Sequence, residues 1–431
     1  MIQNKVLQKL FENFLSLTVL QGLSFITELI ILPYLTVTLG VNNYGIISFA
    51  TSFMLFLQII TEYGFSHSGT RTVSKYRDNP QKLQKIYSAI NIVRIILSSA
   101  SFVSLLIIIN LFDIFREQSI VFLLLFGLII QSVLFPIWFF RGLEKMKYIT
   151  IIDLIGRIFF VIAIFFLIKS KSDYVLYAFL VFLRAIIIGI VTQLFLYKKY
   201  KIKFEKSSFH DIKFQFSNGF YMFLVYLSTS IINNLNPFFL GLLVDYSNVG
   251  IFSAGYKVIQ IFILIISLIT TTVFPHIVKL IKESNNIMET NIIKFIKKVL
   301  LLIIIIGVLS LGFLFISADF IVKILFGPTY EGTVAVIRIL SFAPLLIGIG
   351  HTFTLQILVP LEFDSLTAKI YGSSAIVNTV LCFIFIPMFG YIGLCVIILI
   401  TRIMIIIFSF IAIRRNEVKL NLIKFKTNDS T

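Results

Sequence analysis

The feature that most limits what this chain can become is a succession of apolar runs, each about 20 residues long, joined by short polar connections. The runs lie near 14–35, 44–64, 88–111, 118–140, 149–168, 173–197, 216–244, 249–274, 295–316, 332–358, 367–387 and 390–413. A helix of that length crosses a bilayer with its backbone hydrogen bonds satisfied internally, as hydrocarbon demands. The pattern therefore predicts an all-α integral membrane protein of about twelve transmembrane helices. A soluble reading fails on quantity: with 58% hydrophobic residues and a mean hydropathy of +1.00, the chain carries more apolar surface than one core could enclose. Charged residues are only 13%, about half the usual share.

An even number of spans places both ends on one side, and loop charge decides which. Loops opposite the termini hold only Arg116, Lys169, Lys171 and Lys323, whereas the termini and the remaining loops hold nearly all the other Lys and Arg outside the spans. Both termini are thus expected in the cytoplasm, with a basic tail at the end of the chain. The formal net charge of +17 is accounted for by topology and anionic lipid, so nucleic acid is not an expected partner. The first run is too long for a cleavable signal, carries Glu28 and lacks a small-residue cleavage site. Cys382 and Cys395 both lie in apolar runs, and His67, His210, His276 and His351 are scattered. Neither set has metal-ligand spacing, and no cofactor is expected.

The chain echoes itself. Asn43-Tyr44-Gly45-Ile46-Ile47-Ser48 follows the first span and Asn248-Val249-Gly250-Ile251-Phe252-Ser253 the seventh, with Pro33 and Pro237 at similar distances before them. The repeat predicts two pseudo-symmetric six-helix lobes around a central cavity: 1–200, a cytoplasmic linker at 201–213, and 214–431.

Polar groups inside spans are costly and should face a bundle interior or a wet cavity. Stripes recur at helical spacing: Asn13, Ser16, Gln21, Ser24 and Glu28 in the first span, and Ser253, Lys257, Gln260, Ser267 and Thr271 in the eighth. For any single Ser, Thr or Asn, helix–helix hydrogen bonding is the simpler account. Buried charge is the sharper signal, because one basic group at mid-span costs roughly 3 kcal/mol. Lys257, Arg338, Arg94, Arg184 and Arg402 are the candidate substrate-binding residues, and Glu28 is the candidate for ion coupling. Arg94 is near enough to a cytoplasmic end to snorkel. Arg157 follows Asp153 by four residues and can pair with it on one helix face, a structural role. An excess of basic groups suits an anionic cargo, which Arg can grip through paired oxygens. A cation–drug antiporter would show buried acids instead, and a membrane enzyme a large catalytic outer loop; the longest outer stretch, about 317–331, holds no such constellation.

Several ordered segments carry a resemblance. They are Leu32-Pro33-Tyr34-Leu35, Leu39-Gly40, Tyr44-Gly45, Tyr63-Gly64-Phe65 and Gly69-Thr70-Arg71, then Trp138-Phe139-Phe140-Arg141-Gly142-Leu143-Glu144-Lys145-Met146. Leu240-Gly241, Val249-Gly250-Ile251, Tyr256-Lys257 and Phe274-Pro275 follow, and then Leu325-Phe326-Gly327, Leu340-Ser341 and Pro387 with Gly390-Tyr391-Ile392-Gly393. In this order they resemble the Wzx-type polysaccharide flippases of the multidrug/oligosaccharidyl-lipid/polysaccharide exporter superfamily. The resemblance implies a non-enzymatic transporter of the bacterial cytoplasmic (inner) membrane. Its cargo would be a polyprenyl-diphosphate-linked oligosaccharide for O-antigen, capsule or exopolysaccharide, moved to the outer leaflet by alternating access through a cationic cavity. Membrane lipids, a polysaccharide polymerase and chain-length proteins would be its other partners. The alternative within the same superfamily is a multidrug/cation antiporter. Of the candidate residues only Lys257 falls within a matching segment.

Overall fold

Apolar sequence of this length has to close its own backbone hydrogen bonds, and the computed structural model is helical, with no strand among the described residues. The backbone is described for 2–202, 204–205, 207–284 and 290–427; the side chains of 1–21, 23–26, 203, 206, 209–211, 218, 221–222, 282–291 and 416–431 lie outside that description. Asn13, Ser16, Gln21 and Ser24 of the expected first stripe, and most of the basic tail, therefore lie outside it too. By packing the chain divides into two compact units, Met1–Gly250 and Ile251–Thr431.

The first unit begins with α1 (Ile2–Glu62) and continues through α2 (Phe65–Lys75) and α3 (Pro80–Leu111). α1 is two helices in one: Gly40 has φ 73°, a left-handed conformation open to glycine and costly for other residues, and it falls between the spans expected at 14–35 and 44–64. α3 starts sharply because Asn79 caps it, its side chain accepting from the Lys82 N–H at 3.0 Å, with Pro80 in the first turn. The run expected as one span at 118–140 is a single candidate membrane span, Ser119–Gly142, kinked into α5 (Ser119–Leu125), α6 (Gly127–Leu134) and α7 (Ile137–Gly142), after a short α4 (Asp113–Arg116). Pro136 supplies the reason for the last break, since it has no N–H for the Ser132 carbonyl four residues earlier. α8 (Met146–Leu167) and α9 (Tyr174–Tyr200) follow as a tightly joined antiparallel pair. Then α10 (Phe209–Asn234) and α11 (Asn236–Leu243) pack against α1, and α10 also meets α2 and α3.

The repeated segments meet in this unit, and they meet reciprocally. A Cβ at Gly45 would stand 1.7 Å from the Tyr246 carbonyl oxygen, and one at Gly250 would stand 2.1 Å from that of Val41. Tyr246 lies four residues before Gly250, and Val41 four before Gly45. Each glycine is thus the notch into which the other repeat's backbone fits, the small-residue crossing that lets membrane helices approach closely.

α12 (Tyr246–Ser284) runs on into the second unit, followed by α13 (Thr290–Leu325), α14 (Gly332–Leu340), α15 (Ala343–Phe353) and α16 (Asp364–Thr427). α15 continues into a π-helical turn at Thr354–Leu358 and packs on α13 and α16. Ile266, Val299 and Ile303 form a buried cluster there, and Gly348 admits Ile303 where a Cβ would be 2.5 Å from its Cγ2. α16 is again broken at a glycine with positive φ, Gly390 at 55°, at the boundary of the expected spans 367–387 and 390–413, where it opens the second.

Among the described residues nine helical segments are long and apolar enough to cross a membrane. The two longest, Thr27–Lys75 and Asp364–Arg415, have 49 and 52 residues. Each is about 75 Å of helix, against a hydrocarbon core of about 30 Å, and each holds one of the two glycine breaks. Phe166, Ile316, Phe320 and Met388 turn outward almost uncovered, as lipid-facing side chains do.

Candidate functional site

The first unit encloses a cavity of about 470 Å³ at the meeting of α1, α2, α3, α6, α7, α8, α9 and α10. Its charged wall consists of Glu28, Glu62 and Asp153 against Arg94, Arg141, Arg157 and Arg184, so the formal balance is one positive charge. Gln58, Gln131, Ser66, Ser132 and Tyr226 supply neutral polar groups, and Phe65, Phe135 and Trp138 the apolar part.

Each arginine is held there for a local reason. Arg94, 2% exposed, donates through Nη2 to the Ser132 carbonyl at 2.6 Å. That carbonyl is the one Pro136 leaves without a helical partner, so the break in the fourth apolar run creates the acceptor that anchors the arginine. Glu62 lies 4.0 Å from the same guanidinium and is within 3.5 Å of Gln58 Nε2. Arg94 Nε and Nη1 are buried without a partner. Arg94, near enough in sequence to a helix end to snorkel, instead points into the unit, toward the orphaned carbonyl and the Glu62 carboxylate.

Asp153 on α8 serves two arginines. Arg157, four residues on, bonds to Oδ2, as their spacing predicts, and Arg184 of α9 donates from Nη2 to Oδ1 at 3.0 Å. One carboxylate is thus shared by two guanidiniums, leaving an excess positive charge at this point of the wall. Arg184 Nε is buried without a partner, and its guanidinium carbon lies 5.3 Å from the centre of the Phe160 ring. Arg141 on α7 reaches Ser66 Oγ at 3.4 Å, and its Nε is likewise buried and unmatched. Behind the cavity a neutral chain stiffens the wall: Tyr87 donates to Gln193 Oε1 at 2.8 Å, and Gln193 Nε2 donates to the Leu134 carbonyl at 2.6 Å.

Of the candidates named from sequence, Arg94, Arg184 and Glu28 line this cavity. The other three belong to the second unit. Arg338 bonds to Asp319 and lies 5.8 Å from the Phe315 ring centre. Arg402 is 6% exposed and donates to the Tyr256 hydroxyl. Lys257 is half-buried on α12. The sequence reading missed Arg141 and Asp153 as cavity groups; Glu62 shares a polar stripe with Gln58 on the second span, and both line the cavity. Arg141 falls just past the span expected at 118–140 and so reads as a loop charge, although it sits inside the segment 138–146 that carries part of the resemblance. Arg157, read as structural, makes the expected pair and also faces the cavity. Among the described residues no group of three or more His, Cys, Asp or Glu could hold a metal ion.

Several solved structures share the fold. A multidrug resistance MATE family transporter of the MOP superfamily, in an inward-facing conformation, matches with a TM-score of 0.71 at 14% identity over 90% of this chain and 95% of that one. The lipid II flippase MurJ in an inward closed conformation matches at 0.69 and 16% identity over 92% and 87%. Fold and apolar helices together define a multi-pass helical membrane protein that shares the fold of these transporters. A family model described as polysaccharide biosynthesis protein matches residues 10–281, and the chain belongs to that family. A protein of Escherichia coli (strain K12) named for O-antigen transport is 25% identical over 94% of this chain and 97% of its own length. A protein of Shigella dysenteriae with the same name is 26% identical over 94% and 100%.

Proposed function

We propose that the protein is a flippase for a lipid-linked oligosaccharide, moving a polyprenyl-diphosphate-linked repeat unit from the cytoplasmic to the outer leaflet of a bacterial inner membrane. The observation that carries this reading is the set of three arginines, the buried Arg94 and the half-buried Arg141 and Arg184, each lining the cavity and each with a buried guanidinium N–H that no protein atom accepts. Unmatched buried donors cost free energy unless an acceptor arrives, and phosphate oxygens are the acceptors a guanidinium fork fits best. The kinship with proteins named for O-antigen transport supports a glycan as the cargo. The antiporter alternative needs acids available to a cation, whereas Glu62 and Asp153 face arginines.

Alternating access between a lobe at 1–200 and one at 214–431, joined by 201–213, would open the cavity to each leaflet in turn. Both termini then lie in the cytoplasm. Moving two negative charges outward across an inside-negative membrane releases about 4.6 kcal/mol per 100 mV, so the potential favours export. The arginines lower the barrier that the diphosphate meets in the low-dielectric interior.

Deletion of the gene in its native host tests the reading. Lipid-linked repeat units should accumulate in the inner leaflet and surface polymer should disappear. Normal polymer, in a strain with no second flippase, overturns it.

A further inference from the structure

The first unit has a second concavity, and it shares one residue with the first. An apolar groove of about 410 Å³ runs between α8 and α9. The two helices build it with identical spacing. α8 contributes positions 152, 155, 156, 159, 160 and 163, and α9 contributes 180, 183, 184, 187, 188 and 191, the stripe of one helix face in each case. Every groove position is aliphatic, aromatic or glycine except Arg184. Gly156 sets the depth: a Cβ there would stand 2.6 Å from Ile188 Cδ1, so α9 settles against the bare backbone of α8. Ile155, Phe159, Leu183, Ile187 and Val191 are exposed along the groove, while Phe160 and Ile188 are buried in its floor. Arg184 emerges from that floor beside Phe160, with its other side on Asp153 and the charged cavity.

We infer that this groove holds the proximal isoprenoid tail of the lipid-linked substrate while its diphosphate engages Arg184 from the cavity side. The inference rests on the flippase reading and adds the place where the tail stays in the membrane while the sugar head is enclosed. Charge complementarity selects this occupant. Arg184 is ten residues from the start of α9, about 15 Å along the helix, and sixteen from its end, about 24 Å, which is mid-membrane. An ordinary phospholipid keeps its phosphate at the interface, so its acyl chain could fill the groove only with the phosphate far from Arg184. A lipid whose head has been drawn into the protein brings phosphate and tail together at that depth. Arg184 Nε remains buried without an acceptor, a donor for an oxygen on that phosphate.

The test uses the full chain in vesicles of phosphatidylethanolamine and phosphatidylglycerol, with benzoyl-phenylalanine in place of Phe159, Leu183 or, off the groove on α8, Ile162. The probe is a radiophosphate-labelled polyprenyl diphosphate bearing one sugar. Photolysis should label the protein at 159 and 183 several-fold more than at 162, and Ile155→Trp, which fills the groove, should remove that labelling and slow movement of the probe. Equal labelling at all three positions, cross-links only to phospholipid, or cross-links to a second copy of the chain each overturn the groove assignment. Failure of the unmodified protein to move the probe at all counts against the flippase reading instead, and labelling is scored separately from that movement.

Discussion

At the scale of the residue, Asp153 is the position on which the charge balance of the cavity turns. It holds Arg157 and Arg184 together, and removing it leaves two buried guanidiniums facing each other. Breaking a buried pair by deleting one partner costs about 3–5 kcal/mol, because the remaining charge is uncompensated. Asp153→Asn should therefore lower the thermal unfolding temperature of the detergent-purified protein markedly. Adding Arg157→Gln should restore part of the loss. Absence of any recovery would show that the carboxylate is not shared as the geometry has it. The half of this arrangement within α8 was legible in the sequence, since residues four apart on a helix meet. The half that brings in Arg184, thirty-one positions away, was not, because no local pattern specifies which face of α9 turns to α8. Arg94 was visible as an out-of-place charge, yet its partner is a backbone carbonyl, which leaves no trace in side-chain spacing. Pro136 was the available clue: a proline inside an apolar run marks a carbonyl in search of a donor.

At the scale of the element, glycines do most of the positioning. The breaks at Gly40 and Gly390 turn two very long helices into pairs, and both could be placed from the sequence because glycine falls at the junction of two apolar runs. Of the two kinks in the fourth run, the one at Pro136 could be read from the proline, whereas the one at Phe126 was hidden, since hydropathy is blind to a break within apolar residues. The echo of residues 43–48 in 248–253 was read as a symmetry of lobes; its geometric content is a contact, with Gly45 and Gly250 each seated on a carbonyl of the other segment. Replacing Gly45 with valine puts a side chain 1.7 Å from a backbone oxygen that no rotamer can move aside. Gly45→Val should abolish monodisperse protein on gel filtration after detergent extraction. Gly312→Val, at a glycine with nothing within 4 Å, should behave as the unmodified chain. Equal recovery of both variants would mean that the crossing is dispensable.

At the scale of the whole molecule, hydropathy made the class readable, because a bilayer imposes one length on every span, and loop charge supplies an expected orientation. A cavity is assembled from eight helices, and its lining depends on how each is rotated, which a linear pattern does not encode. Orientation is open to direct measurement. A fluorescent protein fused to either end should glow, and alkaline phosphatase fused to either end should be inactive. Phosphatase activity at both ends would reverse the expected topology and with it the direction of transport proposed above.

The crossing of the two repeats also fixes an order of events in biosynthesis. Val41 and Gly45 enter the membrane early, but Tyr246 and Gly250 are made about 200 residues later, an interval of about 10–40 s at ordinary ribosomal rates. Throughout that interval the notch in α1 lacks the backbone that fills it in the folded protein. The first half of the chain is thus synthesised with this close contact unmade, and the notch stays without its native partner until the start of the eighth span arrives.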